Sequence, residues 1–335
     1  CQFLSSKHNF YAIEEESKMD PYKMVIAVTN QKGGCAKTTT SVNLATVLAE
    51  GNRKYGIPAS KVLLIDLDPQ GNVSTSFGID KSKLKKTVSD VLMNDLGDEL
   101  PLMDDYIISP EELTQAMRTA WAISNSSEKI PEKLKVDNLY LLPSNIHLSG
   151  ADIELSTKIG RETRLKEGIA HIINDFDYII IDTPPSLGLL TINALAASNW
   201  VLTPVQAEYY ALEGMSLLMN TIKLVQRRIN PNLKLFGIAM TMVLPKSTLS
   251  RMVCDEVARF FPDQVFNTAI QRLVKIAEAP SEGSPTVLLH RPGNDSKGRG
   301  SHQYWTLGKE VHLRVQDLMK KHGITRTSQF LLNRE

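Results

Sequence analysis

A short run near the start of the chain carries side chains suited to holding a polyphosphate. The run is Gln31-Lys32-Gly33-Gly34-Cys35-Ala36-Lys37-Thr38-Thr39. It lies between an apolar, β-branched stretch at 25–29 and a helical pattern at 40–49. A glycine turn between strand and helix lets backbone N–H groups and the helix N-terminus bind phosphate oxygens. In such a loop, Lys37 would reach the β- and γ-phosphates and the Thr38 hydroxyl would bind Mg²⁺.

The loop departs from the standard phosphate-loop pattern at two positions and carries one additional lysine. Gln31 and Ala36 stand where that pattern has glycine, and Lys32 adds a second lysine. The Ala36 methyl group would lie where phosphates approach the backbone most closely, so we expect altered nucleotide geometry or affinity. A scaffold that binds nucleotide without hydrolysing it therefore stays open. A surface turn rich in glycine by chance is the plainer alternative, but position, order and spacing all oppose it.

Carboxylates follow two apolar strand patterns. Asp66 and Asp68 come at the end of the run 62–66, and Asp182 ends the run 178–182. The carboxyl ends of parallel strands form the ligand-binding edge of an open α/β sheet. A single Asp at a strand end is often only a turn residue. Three of them, together with the glycine loop, predict a site for Mg²⁺ and an attacking water.

Strand-like and helical patterns alternate along the chain. This order predicts an α/β fold with a mainly parallel, twisted sheet that is covered by helices on both faces. We predict one domain over residues 24–335, because no linker divides it. Beyond 25–29, the expected strands are 62–66, 139–143, 178–182, 200–204, 236–241 and 287–289, and the expected helices are 189–197, 211–229 and 249–261.

Three segments fall outside this alternation. Residues 1–23 are polar and charged, lack a signal-peptide core, and are expected to be a disordered extension without assigned function. Residues at about 81–137 are expected to be a helical insertion with solvated loops. Glycine, proline and charged residues at about 290–303 predict a flexible loop.

Composition narrows the class of protein. The chain has 335 residues, of which 42% are hydrophobic and 22% charged, as in an ordinary soluble globule. The net charge of +1 gives no global attraction to DNA or anionic lipid, so any nucleic-acid binding needs a local patch. Three widely spaced cysteines favour a reducing, cytoplasmic compartment, and the seven histidines show no zinc-ligand spacing. No apolar run is long enough to span a bilayer.

These motifs resemble those of a known family. The Lys-Gly-Gly start with a second lysine five residues later resembles the deviant Walker A loop of the ParA/MinD class of P-loop ATPases. Asp66–Asn72 is similar to the Walker A′ motif of ParA/Soj proteins, and Asp182–Pro185 to their switch II. Further Soj-like segments lie at 143–151, 161–166, 204–214 and 278–281.

The resemblance implies a P-loop NTPase fold, ATP and Mg²⁺ as cofactors, and a homodimer that sandwiches ATP. In this family the first lysine, here Lys32, crosses to the partner's nucleotide and stabilises charge there, as an arginine finger does. Asp68 would orient the attacking water, Asp66 would support the metal shell, and Asp182 would close the switch. The remaining cofactor contacts implied are Gly33, Gly34, Cys35, Ala36, Lys37, Thr38 and Thr39, with Met242 and Pro280 beside the base.

The resemblance also implies DNA and protein partners. The ATP dimer would bind nucleoid DNA without sequence preference, and a ParB-like protein would stimulate an otherwise weak hydrolysis. The positions implied for DNA contact are Lys246, Arg251, Arg272 and Lys275, although a scattered basic side chain is often only solvated. The cargo, a plasmid or a chromosome, stays open against a protein cargo such as a carboxysome or chemotaxis cluster.

Two related classes of ATPase are alternatives to a ParA-type protein. A MinD-like, membrane-cycling ATPase would need an amphipathic C-terminal helix on lipid. An apolar stripe does exist, formed by Leu307, Val311, Val315, Leu318 and Met319. Such a stripe more often docks on the protein core, and residues 68–72 look like ParA, so we expect no stable membrane association. An iron-protein-type ATPase needs paired cysteines near Asp182, and the sequence has none there.

Overall fold

Six parallel strands form the centre of this computed structural model, which describes residues 24–94, 105–125 and 129–322. The strands are β1 Met24–Val28, β2 Val62–Asp66, β3 Leu139–Leu142, β4 Tyr178–Asp182, β5 Trp200–Gln206 and β6 Lys234–Thr241. Their order across the sheet is β3-β2-β4-β1-β5-β6, and every neighbouring pair is parallel. The predicted α/β fold is confirmed.

The helices are numbered here in chain order. They are α1 Lys37–Glu50, α2 Asn72–Ser76, α3 Val88–Met93, α4 Pro110–Ser124, α5 Ala151–Ser156, α6 Arg164–Ile169, α7 Leu189–Ala197, α8 Ala211–Arg228, α9 Thr248–Phe260, α10 Val274–Glu278, α11 Thr286–Leu289 and α12 Arg299–Lys321. The predicted insertion contains α3 and α4. Part of it, and all of residues 1–23, lies outside the described residues.

The sheet is buried on both faces, which explains why its strands are continuously apolar. Side chains alternate along a strand, so Ile26 and Val28 enter one apolar cluster while Val25 and Ala27 enter the other. Helices α1 and α12 cover the first face, and α6, α7 and α8 cover the second. A strand that is buried on both faces cannot show a polar alternation.

One predicted strand is wrong. Residues 287–289 form part of the short helix α11. Pro285 stands immediately before this helix, and the Val287 N–H donates to Asn43 Oδ1 at 3.2 Å. Val287 and Leu288 are buried against the face that α1 and α12 cover. Three apolar residues fit a buried strand or a buried helical turn equally well, so the pattern alone did not separate the two.

The predicted flexible loop at 290–303 is too long, because α12 begins at Arg299. Gly300 is buried inside the first turn of this helix, and a Cβ built there would lie 2.6 Å from Ile276 Cγ1. The glycine therefore permits close packing of the helix against α10, and it does not mark a loop.

The apolar stripe of α12 faces the protein core. Leu307, Val311 and Val315 are buried in the cluster that contains α1, and Leu318 and Met319 pack against it. This confirms the core-docking interpretation of the stripe over the lipid-binding one. Within the part of the chain that the structure describes, no helix is both long and apolar enough to cross a membrane.

Glu50, at the end of α1, should make stability depend on pH. Burial raises its pKa to about 7 from an ordinary value of 4.5. The unfolded chain therefore loses the Glu50 proton first, and stability should fall as pH rises from about 4.5 to about 7. The difference between the free energies of unfolding of Glu50→Gln and wild type should change by about 2 kcal/mol in favour of the variant as the pH rises from 5 to 8.5.

Urea unfolding of both proteins at the two pH values would measure this. The amide of the Glu50→Gln variant retains an oxygen that can accept the Asp137 N–H, which lies 3.0 Å from Glu50 Oε1 in wild type. A stability difference between variant and wild type that is the same at both pH values would contradict the prediction.

Candidate nucleotide-binding site

The glycine loop lies at the carboxyl edge of the sheet, between β1 and α1. Asn30 fixes its first turn, since its Nδ2 donates to Pro204 O at 2.7 Å and its Oδ1 accepts the Lys32 N–H at 3.0 Å. At the other end of the loop, the Thr241 hydroxyl donates to Cys35 O at 3.0 Å. The loop is thus held by the ends of three neighbouring strands.

The loop backbone has the left-handed turns that a phosphate cradle needs. Gly34 has a φ of 72°, and Ala36 has a φ of 66° despite its side chain. A non-glycine residue in this region carries strain of about 1–2 kcal/mol. No side chain among the described residues caps the start of α1 at Ala36. The first N–H groups of this helix are therefore available to an anion.

The two lysines of the loop occupy different environments. Lys37 is buried, and its Nζ donates to the backbone oxygen of Lys32 at 3.2 Å. This places one cation inside the loop, where phosphate oxygens would lie. The Lys32 side chain is 35% exposed, and its Nζ lies 2.5 Å from Glu208 Oε2. Lys32 is therefore at the mouth of the loop.

Asp182, the last residue of β4, forms side-chain hydrogen bonds with the first turns of α1. Its Oδ2 accepts the Thr38 hydroxyl at 2.7 Å, and its Oδ1 accepts the Ser41 hydroxyl at 2.8 Å. Burial raises the pKa of Asp182 above its ordinary range, while these two hydrogen bonds lower it in part. Ser41 was not predicted; its position four residues after Lys37, one helical turn away, is the signal that could have found it.

Asp66 is fully buried beside Asp182 in the register of β2 and β4. Burial and then the charge of Asp182 raise the pKa of Asp66 well above its ordinary value. Its oxygens accept the N–H groups of Asp68 at 2.9 Å and Val73 at 3.3 Å. In this arrangement the Asp66 carboxyl group orders the segment that carries Asp68. Its predicted place in the metal shell stays a prediction.

Asp68 lies beyond the end of β2, with its side chain at the same edge of the sheet. The carboxylate accepts the Gln70 N–H at 2.9 Å, and its backbone oxygen accepts the Ser144 hydroxyl. Asp66 links Asp68 to Asp182, because it accepts the Asp68 N–H and is the register partner of Asp182. The charge of Asp68 raises the pKa of both other carboxyl groups. The structure thus brings together the three carboxylates that the sequence singled out.

The donor set fits a magnesium ion that is shared with phosphate. Among the described residues, no three His, Cys, Asp or Glu side chains converge as an all-protein metal cluster. Mg²⁺ commonly takes one or two protein oxygens, with the rest from water and phosphate. The Thr38 hydroxyl and the Asp182 carboxylate, 2.7 Å apart, offer such a pair at the start of α1.

Met242 and Pro280, predicted beside the base, belong to two segments that border the loop. Met242 directly follows Thr241, which binds Cys35, and has an unusual φ of 51°. Pro280 lines a narrow crevice against α1 together with Thr39 and Asn43. Both positions border residues of the loop, and their contact with a base stays a prediction.

The basic residues predicted for DNA contact are spread over 246–275. Lys246, Arg251 and Arg272 are exposed. Lys275 pairs with Glu278 at 2.7 Å, which neutralises part of its charge. The sequence did not predict that Lys133 of the insertion and Lys275 would both act on His290.

His290 identifies the neighbours of Lys275. Burial lowers the pKa of His290, and the charges of Lys275, Lys133 and Lys297 lower it further. The charges of these three lysines, which are far apart in the sequence, thus act on one histidine, and the charge of Asp295 opposes them. The insertion contributes Lys133 to this environment, and the segment before α12 contributes Lys297 and Asp295.

Comparisons with known proteins agree with this geometry. A family model described as an AAA domain matches residues 23–235. The chain is 43% identical to the sporulation initiation inhibitor protein Soj of Bacillus subtilis over 287 residues, covering 86% of this chain and 97% of that protein. It is 39% identical to the chromosome partitioning protein ParA of Myxococcus xanthus, with 86% of this chain and 87% of that protein covered.

A similar solved structure comes from Mycobacterium smegmatis. It is named as a cobyrinic acid a,c-diamide synthase and holds an ATP analogue and magnesium. The TM-score is 0.65 at 34% identity, with 91% of this chain and 99% of that chain covered. A chain of this fold therefore binds a nucleotide together with the metal.

Proposed function

Because this chain belongs to the ParA/Soj family of P-loop ATPases, we propose that it is a Mg²⁺-dependent ATPase that dimerises around ATP. The ATP dimer binds DNA without sequence preference. A ParB-like partner stimulates ATP hydrolysis and thereby releases the dimer from the DNA near the partner. Repeated release moves a DNA cargo, a plasmid or a chromosome. The name of the Myxococcus xanthus relative, the chromosome partitioning protein ParA, supports the partitioning role. Positioning of a protein cargo is the alternative.

Lys37, Thr38 and Asp182 form the part of the site that binds MgATP. Lys37 Nζ already points into its own loop, toward Lys32 O, and would exchange this backbone partner for phosphate oxygens. Thr38 and Asp182 would hold the ion, which supplies positive charge against the phosphates. Because Asp182 ends β4 and Thr38 lies in the first turn of α1, loss of the γ-phosphate would change the contacts of both elements.

Asp68 is the side chain suited to orient the attacking water. It is an acceptor at the carboxyl edge of the sheet, held in place by Gln70 N–H and by the Asp66 carboxyl group beneath it. A carboxylate in this position can accept a hydrogen bond from the water and align it with the γ-phosphate. Asp66 supports Asp68 through the backbone.

The observation that carries the proposal is the separation of the two lysines. Lys37 is buried in the loop, while Lys32 is partly exposed at its mouth and its ammonium group faces outward to Glu208. This separation supports the assignment of Lys37 to the nucleotide of its own subunit. It also supports the assignment of Lys32 to a nucleotide held by a second subunit, where its charge would stabilise the transferred phosphoryl group.

Retention of non-specific duplex DNA tests the proposed function. We expect the protein to retain duplex DNA on a filter in the presence of Mg²⁺ and either ATP or a slowly hydrolysed analogue. Retention should be much weaker with ADP. Phosphate release should rise when DNA and a ParB-like partner are added together. Equal retention with ATP and ADP would contradict a nucleotide-controlled DNA-binding state.

The DNA surface gives a separate prediction. Lys246→Ala combined with Lys275→Ala should weaken DNA retention, because contacts to DNA phosphates need only positive charge. The affinity for nucleotide should stay unchanged. Each lost contact should lower the slope of log K against log salt by about 0.9. Titration of labelled DNA over a salt series measures the slope.

Lys54→Ala is the control for the loss of one surface lysine, since Lys54 is exposed just beyond the end of α1 that is remote from the nucleotide loop. A double variant with wild-type affinity and slope would exclude this surface as the DNA-binding site.

A further inference from the structure

We propose that Glu208 is a positioning residue that holds Lys32 in the free subunit and must release it when two subunits pair. The inference rests on the proposed function, because it assumes that Lys32 acts at the nucleotide of a partner subunit. It adds a residue that competes for Lys32 within its own chain. Nucleotide-dependent pairing would then include the exchange of an intramolecular ion pair for a contact across the interface.

The geometry shows a carboxylate that is aimed and fixed. Glu208 Oε2 lies 2.5 Å from Lys32 Nζ, and Oε1 accepts the Gln206 side-chain N–H at 2.5 Å. The Glu208 backbone N–H also donates to Gln206 O at 2.8 Å. Gln206 is the last residue of β5. Both carboxylate oxygens therefore have partners, and a rigid strand end orients the group toward the loop.

The loop is fixed against the same strand. Asn30 Nδ2 donates to Pro204 O, and Asn30 Oδ1 accepts the Lys32 N–H. The backbone of Lys32 is thus tied to β5 two residues before Gln206 in that strand. This shared support brings the backbone of Lys32 and the end of β5 close together, although Lys32 and Glu208 are 176 residues apart in sequence.

The ion pair is placed so that it can open. The Lys32 and Glu208 side chains are 35% and 51% exposed, so water and salt screen the pair. An exposed pair of this kind stabilises its closed form only modestly. One ammonium group cannot keep this short contact and also reach a nucleotide in a second subunit. The two states of Lys32 therefore exclude each other, and the pair opposes dimer formation without preventing it.

The dissociation constant of the dimer tests the inference. Glu208→Gln keeps the side-chain volume and removes the charge that holds Lys32. Two ion pairs open for each dimer formed, so the variant should dimerise about fivefold more tightly than wild type, the effect expected of two exposed pairs. Sedimentation velocity over a concentration series, with a slowly hydrolysed ATP analogue and Mg²⁺, gives the constant.

Glu213→Gln is the matched control, because Glu213 is an exposed glutamate in the first turn of α8 and its loss changes the net charge equally. The control should dimerise as wild type does. Glu208→Gln must therefore differ from Glu213→Gln as well as from wild type. A dimer of Glu208→Gln that is as weak as the control, or weaker, overturns the inference.

Two readouts separate this role from a merely structural one. Raising the salt concentration should bring the wild-type dissociation constant toward that of Glu208→Gln, since salt weakens the pair in wild type only. In the nucleotide-free monomer, acetic anhydride should modify Lys32 faster in Glu208→Gln than in the control, as measured by peptide mass spectrometry. An unchanged rate of Lys32 modification overturns the inference even if the dimer is altered.

The same experiment distinguishes this inference from the proposed function. If wild type and all variants stay monomeric with the analogue, the ATP dimer itself is wrong. If wild type dimerises and Glu208→Gln does so no more tightly, only the role of Glu208 is wrong.

Discussion

Lys32→Ala is expected still to bind ATP but to lose its DNA- and partner-stimulated turnover by about a thousandfold or more, as when a trans-acting cation is removed from a phosphoryl-transfer site. Binding should survive because Lys37 and the uncapped start of α1 belong to the same subunit as the nucleotide. Turnover should be lost because, in the proposed dimer, the charge that stabilises the transferred phosphoryl group would come from the partner.

Equilibrium binding of a fluorescent ATP analogue and phosphate release, measured on the same preparations, test this separation. Lys54→Ala again serves as the control lysine and should behave as wild type in both assays. Wild-type turnover in Lys32→Ala would remove Lys32 from the catalytic machinery. Loss of ATP binding instead of turnover would place Lys32 in the site of its own subunit.

Asp68→Asn should give the second large effect, with turnover about a hundredfold to ten-thousandfold below that of wild type. The amide retains an oxygen that can accept the Gln70 N–H, so the loop should keep its shape. The amide is a poorer acceptor for the attacking water. The ATP dimer should therefore form and persist, and DNA should stay bound longer than with wild type.

Phosphate release and the lifetime of the DNA complex after dilution measure these effects. Asp80→Asn is a suitable control, because Asp80 is an exposed carboxylate that caps a short turn at 81–83. Turnover of Asp68→Asn within a factor of about two of wild type would contradict the role of Asp68, since such a change is far below the usual contribution of a positioned acid or base.

Much of the site could be predicted from sequence because a parallel sheet gathers residues in a simple way. Its strands all end at one edge, so residues that follow β1, β2 and β4 must be neighbours. Asp66 and Asp182 illustrate this, since they are direct register partners. The glycine turn between β1 and α1 is likewise a local feature, and its two lysines are five residues apart.

Contacts between side chains that are far apart in the sequence could not be predicted from it. The ion pair between Lys32 and Glu208 depends on where β5 ends and on the rotamers of both side chains. The neighbours of His290 depend on how the insertion folds back toward α10. No local periodicity encodes either arrangement.

Short apolar and glycine-rich segments were misassigned for another reason. Residues 287–289 are too few to distinguish a buried strand from a buried helical turn. Gly300 was interpreted as a loop residue, but it is buried where a Cβ would clash with Ile276. In both cases tertiary packing, and not local preference, decides the structure.

The most direct test of the account is the mass of the protein with and without nucleotide. Sedimentation equilibrium should show a monomer with ADP and a dimer with a slowly hydrolysed ATP analogue and Mg²⁺, and Lys32→Ala should stay largely monomeric with the analogue. A wild-type protein that remains monomeric with saturating analogue and Mg²⁺ would contradict the claim that nucleotide binding and subunit pairing are coupled through Lys32.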